Sequence, residues 1–185
     1  QSTSAMTGVI NNQGAYFFLD THVQDDPTAE QIAEATLQAT YRLKLFGIEP
    51  KVALLSHSNF GSHDTPGAQK MRKVRELLRE RMPKLEMDGE MQGDTAWDEA
   101  LRRKMMPNTT LSGRANLFVL PNIDAANITY NMVRVMTDGV AIGPILMGIS
   151  KPVHILTSSA TPRRVVNMTA IAAVDAQIRK HVGAT

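Results

Sequence analysis

Cysteine is missing from all 185 residues. Its absence excludes a disulfide framework, a thiolate zinc site and a cysteine nucleophile. Aromatic residues make up only 5% of the chain. The core must therefore be filled by aliphatic side chains and by the eleven methionines, which serve as adaptable filler. No apolar run approaches the roughly 18 residues of a membrane-spanning helix. No basic start leads into an apolar stretch, so a secretory signal is not expected and a cytoplasmic location fits. Net charge is small as well: 20 basic and 18 acidic residues leave +2. Neither a nucleic-acid nor a membrane partner gains support from that balance. Finally, no G-x-G-x-x-G and no lysine-bearing phosphate loop occurs, so the nucleotide fingerprints are lacking.

What is present is an ordinary globular composition, 43% hydrophobic and 21% charged, which rules out disorder and coiled coil. The length suits one domain or slightly more. Residues 1–5 are small and polar and read as a vector-derived remnant outside the fold. Beyond them, short apolar runs alternate with amphipathic stretches. Strands are expected at 15–20, 51–56, 85–88, 116–121, 141–149 and 153–156. Helices are expected at about 27–46, 65–82, 94–106, 124–137 and 162–181. Asp26-Pro27 and Thr161-Pro162 offer starts, and Gly47 and Pro83 offer stops. On the first helix Ile32, Thr36, Leu37, Thr40 and Tyr41 share one side. Such alternation means βαβ crossovers, a mostly parallel sheet and helices on both faces. Ligands in these sheets sit at the carboxyl ends of the strands, in the loops that enter the helices.

Three such loops carry candidate chemistry. Residues 56–64 (SHSNFGSHD) are rich in hydroxyls and lead into a helix, where backbone N–H groups favour an anion. The same loop holds His57, His63 and Asp64, but their spacing matches no standard metal-ligand pattern. Residues 85–94 (LEMDGEMQGD) present Asp88, Glu90 and Asp94, which could do acid–base work or simply cap a turn. Residues 157–164 (TSSATPRR) set Arg163 and Arg164 in the first turn of a helix capped by Thr161. The helix dipole disfavours cations there, so the pair reads either as an anion clamp or as solvated surface. The basic run from Lys70 to Lys84 is interleaved with Glu76 and Glu80 and reads as a solvated helix face. The Asn-x-Thr triplets at Asn108, Asn127 and Asn167 read as chance matches.

Several long strings, in order, resemble one family. VALLSHSNFGS (52–62), MDGEMQGD (87–94), LSGRANLFVLPNIDAANITYNMV (111–133), GPILMGISKPVHILTSSA (143–160) and VVNMTAIAAVDAQ (165–177) are similar to the phosphate acetyl/butyryltransferases. Within that family they look most like the phosphotransacetylase-like C-terminal domain of hybrid NADP-dependent malic enzymes. The resemblance implies a three-layer α/β/α fold of the isocitrate/isopropylmalate dehydrogenase type, with a mostly parallel sheet. It implies that residues 6–148 form the second of two domains flanking a cleft, and that 149–185 return to a first domain not contained in this chain.

In the family's transferases the returning strand ends in Ser-Arg-Gly, followed by an Asp that acts as base for the coenzyme A thiol. Aligned on Lys151-Pro152-Val153, those four positions are Thr157, Ser158, Ser159 and Arg164. A lysine often found after the helix tyrosine is absent too, since Asn131 follows Tyr130. The resemblance therefore implies a degenerate, non-catalytic site. Acetyl-CoA or a related acyl-CoA would bind as an effector on Ser158, Ser159, Thr161, Arg163 and Arg164, with Ser56, Ser58 and Gly61 lining the opposite wall. No metal or cofactor is expected in this chain; NADP and Mg or Mn would belong to an upstream malic enzyme portion that oxidatively decarboxylates malate to pyruvate. A homodimer through this domain, within a larger oligomer, is implied. The alternative is an active phosphate acetyltransferase with Asp88, Glu90 or Asp94 as substitute base. A third reading is a purely structural dimerisation module.

Overall fold

The computed structural model describes residues 2–182. Its centre is a six-stranded sheet in the order β4-β3-β5-β2-β1-β6. The strands are β1 (Ser4–Asn11), β2 (Gly14–Leu19), β3 (Val52–Leu55), β4 (Met87–Met91), β5 (Leu117–Val119) and β6 (Val140–Met147). Pairs β4/β3, β3/β5 and β5/β2 are parallel, whereas β1 runs antiparallel to both β2 and β6. The sheet is thus mixed and mostly parallel, and the alternation expected from sequence is interrupted at its start by a hairpin.

That hairpin corrects the reading of the first residues. Ser4 and Ala5 pair with Met147 and Leu146 and are fully buried, so residues set aside as lying outside the fold are strand. SAMTGVIN has too few apolar side chains to announce a strand. Gly8 is needed there: a Cβ would come within 2.9 Å of the Phe17 ring across the hairpin.

Period-two alternation then sorts side chains to two faces. Phe17, Leu19, Val52, Leu54, Leu117 and Val119 face one core, which is covered by α1 (Ala29–Leu45) and α2 (Pro66–Arg81) and reached by Met168 of α6 (Pro162–Val182). Tyr16, Phe18, Ala53, Leu55 and Phe118 face the other, beneath α3 (Gly93–Trp97) and α5 (Ile123–Met136). Helices on both faces make the three layers of an α/β fold.

Local chemistry moved several boundaries. Helix α1 starts two residues later than Asp26-Pro27 suggests, because Thr28 and Gln31 form a reciprocal capping box. Tyr41, expected on the apolar stripe, is 56% exposed. The helix expected over 94–106 is broken at Asp98, whose carboxylate accepts the N–H groups of Ala100 and Leu101 and so starts α4 (Glu99–Met105). The strand expected at 153–156 reduces to a single bridge between His154 and Ile145. The basic face of α2 is not simply solvated: Arg72, Arg75 and Arg79 reach Glu90, the Gly89 carbonyl and Asp88 on β4.

The last helix is tied down by charge. Asp175 of α6 is completely buried and its Oδ1 receives Arg42 of α1 and, at 3.1 Å, Arg179 Nε. His154, with its side chain 4% exposed, lies 3.9 Å from Asp175 Oδ2. Burial holds its imidazole below the ordinary value, against the pull of Asp175. Replacing Asp175 by Asn leaves two guanidinium groups without their counter-charge; removing one partner of a buried pair costs about 3–5 kcal/mol. Urea unfolding of Asp175→Asn should show that loss, and a shift below about 1 kcal/mol, as for a surface pair, would contradict the placement of α6.

Candidate functional site

A cleft of about 600 Å³ opens where the turn after β2, the end of α5, the start of β6 and the start of α6 converge. Each wall has a local cause. Asn122 caps α5, which then presents the adjacent Tyr130 and Asn131 and, one turn on, Arg134 to the cleft. The loop 157–161 is a hydroxyl-rich turn, with Thr157 Oγ1 and Ser159 Oγ 3.1 Å apart. Thr161 caps α6 as its sequence indicates: its Oγ1 accepts the Arg164 N–H at 3.3 Å. Arg163 and Arg164 follow in the first turn and line the cleft together with Asn167.

Charge is unbalanced here. Arg134, Arg163 and Arg164 line the cleft against a single carboxylate, Asp138. Arg164 is steadied by donating Nε and Nη2 to the Gly143 carbonyl at 3.2 and 2.9 Å. Arg134 Nε is buried and has no hydrogen-bond partner among the described residues. Guanidinium groups aligned with a helix N-terminus favour an anionic ligand. Burial pushes the Tyr130 phenol up, partly offset by Arg164 and Arg134. Burial also pushes the His22 imidazole down, opposed by Asp20 and reinforced by Arg164. Asp20 itself is raised by burial although its Oδ1 accepts the N–H groups of His22 and Val23.

Of the residues singled out from sequence, Thr157, Ser159, Thr161, Arg163 and Arg164 meet in this cleft. Ser158 is exposed and is not among its lining residues. Ser56, Ser58 and Gly61 do not form the opposite wall. They belong to a knot at the other side of the sheet, where Glu90 Oε1 accepts the Ser58 hydroxyl at 2.8 Å, the Gly61 N–H at 2.7 Å and Arg72 Nη1 at 3.0 Å. Between β3 and β6 lie β5, β2 and β1, a span of about 19 Å at ordinary strand spacing. A hydroxyl-rich strand-to-helix loop looks the same in sequence whether it holds a ligand or its own neighbour's carboxylate.

Asp88, Glu90 and Asp94 are likewise remote. Asp88 accepts the Thr109 hydroxyl at 2.8 Å and the Thr110 N–H at 3.2 Å, and Asp94 accepts the Thr95 N–H at 2.7 Å. The His57 and His63 rings stand 5.2 Å apart, with Asp64 engaged by Arg72. Among the described residues no group of three His, Asp or Glu side chains could hold a metal, and no helix is long and apolar enough to cross a membrane. The residues that sequence reasoning missed are His22, Asn131, Arg134 and Asn167. His22 carried a signal as the third residue past a strand's carboxyl end, and Asn167 as the residue one helical turn from Arg163.

The chain is 53% identical over 177 residues to the NADP-dependent malic enzyme of Escherichia coli (strain K12), an alignment covering 95% of this chain and 23% of that enzyme. It is 39% identical over 163 residues to the phosphate acetyltransferase of Paracoccus denitrificans, covering 88% of this chain and 51% of that protein. A phosphotransacetylase from Streptococcus pyogenes superposes with a TM-score of 0.90 at 32% identity, over 95% of this chain and 54% of the other. The chain therefore spans about a quarter of the malic enzymes and of several phosphate acetyltransferases it matches, and about half of the Paracoccus and Streptococcus proteins. Since the phosphate acetyl/butaryl transferase family matches residues 1–173, nearly the whole of this fold and cleft, the chain belongs to that family.

Proposed function

We propose that this chain is the non-catalytic, acyl-CoA-sensing and oligomerising domain of an NADP-dependent malic enzyme. The observation that carries the reading is Arg164. By the resemblance it takes the place of the transferases' carboxylate base; it lines the cleft, and its guanidinium is held on the Gly143 carbonyl. A guanidinium cannot take a thiol proton, whereas it suits the phosphates of coenzyme A. General-base catalysis is worth about 10²–10⁴-fold, so its loss removes efficient acyl transfer. The alternative of an active phosphate acetyltransferase loses its substitute bases, since Asp88, Glu90 and Asp94 sit at the opposite edge of the sheet. NADP and a divalent metal would act on residues outside this chain.

Two apolar surfaces support an assembly role. Ile128, Met132, Val135 and Met136 form one exposed face of α5, at 62, 56, 67 and 76%. Their spacing makes one stripe on the helix, and on this reading it is the homodimer contact. Val153, Leu156, Val165, Val166 and Val174 are exposed along 149–185, which fits a segment completing a first domain.

Binding and assembly are separately testable in the full-length protein. Arg164→Ala should weaken acetyl-CoA binding about 10- to 100-fold by calorimetry, the usual worth of a charge-assisted hydrogen bond. Unchanged affinity and unchanged inhibition of malate oxidation would contradict the assignment, as would acetyl phosphate formation well above background. Met132→Glu should lower the assembly state in sedimentation at micromolar concentration; an unaltered oligomer would remove α5 as the contact.

A further inference from the structure

We propose that His22 is a recognition residue of this cleft: its Nε2 contacts the anionic group that Arg164 attracts, and the imidazole gains a proton as the ligand seats. The inference deepens the acyl-CoA reading and rests on it.

The geometry leaves His22 one nitrogen for a ligand. Its backbone N–H is spent on Asp20 Oδ1 at 2.9 Å. Its Nδ1 is 2.7 Å from Thr21 Oγ1, which in turn is 2.6 Å from Thr7 Oγ1. Both threonines are buried, at 1% and 0% exposure. Nε2 has no hydrogen-bond partner among the described residues, is not sealed from solvent, and belongs to a ring that lines the cleft.

The hydroxyl pair allows both charge states. With neutral His22, Thr7 can donate to Thr21 and Thr21 to Nδ1, which puts the proton on Nε2. With charged His22, Nδ1–H donates to Thr21 and Thr21 donates to Thr7. The relay can reverse, but Thr7 then accepts and its own O–H, buried at 0% exposure, is left without an acceptor among the described residues, a cost that protonation must meet.

Charge supplies the drive. Burial and the neighbouring Arg164 both keep the empty-cleft imidazole below its ordinary value of 6.5, and Asp20 opposes them. Arg163 and Arg134 line the same cleft, as do the Tyr130 hydroxyl and Asp138. A phosphate or carboxylate seated against Arg164 cancels that guanidinium's repulsion and favours imidazolium. The bound form therefore holds more protons than the free form. By linkage, affinity rises as pH falls, by at most about tenfold per unit, until the empty site is itself protonated.

The test is calorimetry of acetyl-CoA binding to the full-length protein at about pH 7.5 and about pH 6, in buffers of different ionisation enthalpy. Wild type is compared with His22→Gln, which keeps a hydrogen-bonding tip but does not titrate. The ligand's own phosphate titration is common to both proteins and cancels in the comparison. The expected result is extra proton uptake by wild type and a gain in affinity on acidification about threefold or more above that of the variant. Equal proton uptake and equal pH dependence in both would overturn the proposal while leaving the acyl-CoA reading intact. Acetyl phosphate formation that disappears in His22→Gln would make His22 a base and overturn it as well. A wild-type protein that ignores acetyl-CoA would bring down the cleft assignment and the His22 role together.

Discussion

The carboxylate of Asp175 sets where everything at the cleft can be. It is buried in α6 and receives Arg42 from α1 and Arg179 from its own helix. Burying a charge is expensive unless partners satisfy it, so the pair allows little choice in how α6 lies on the sheet. Arg164 is on the same helix, eleven residues earlier, about 16 Å along its axis. Fixing the middle of α6 therefore fixes where its first turn opens and which carbonyl Arg164 can reach. Met168 reinforces the placement by burying its side chain between the two charged positions, with its sulfur 3.0 Å from the Gly143 nitrogen. The anchor and the cleft are one mechanical unit.

The two edges of the sheet treat charge in opposite ways. At β4, carboxylates and arginines cancel: Glu90 against Arg72, Asp88 beside Arg79. Backbone N–H groups and hydroxyls fill most of what remains. That edge matches most of its charge and leaves Glu90 Oε2 as a buried acceptor without a partner among the described residues, which has nothing to offer an anion. At β6 the arginines outnumber the carboxylates, and Arg134 keeps a buried N–H unmatched. An anion gains at the second edge what it cannot gain at the first. Preorganised donors, not the count of hydroxyls in a loop, decide where a ligand is worth holding.

Much of this architecture was legible in the chain. Strand cores such as VALLS and NLFVLP and the cap Thr161 announced themselves through period and chemistry. The hairpin did not, because β1 carries a glycine and small polar residues whose burial comes from neighbours far along the chain. Asp98 looked like one more helical residue until its carboxylate was seen to cap a new start. The site divides similarly. Arg163, Arg164 and the loop hydroxyls cluster within eight residues and could be grouped by eye. His22 and Arg134 join them only through folding, since they come from two other elements, whereas Asn167 lies one turn along α6 from Arg163. Ser58 and Gly61 show the converse error, donors of a ligand-like loop that are consumed by Glu90, while Ser56 Oγ accepts the Ser58 N–H.

On the proposed reading, the loss of the base does not leave an inert scaffold. A transferase must bind its substrate loosely enough to release product and must place a proton acceptor beside the thiol. A sensor needs neither. It needs affinity that differs between two arrangements of the protein. On the proposed reading, Arg164 supplies attraction where the family's carboxylate would repel phosphate, and α6 supplies the connection to α1. On that reading the ligand would grip the first turn of a helix whose middle is locked by a buried charge. Any strain the ligand imposes there must either be absorbed within about three turns of helix or passed to the Arg42–Asp175 contact. Close-packed interiors favour the second course, because they yield in discrete steps and not by gradual compression. Asp175 thereby becomes the point through which occupancy of the cleft would be felt by the rest of the fold.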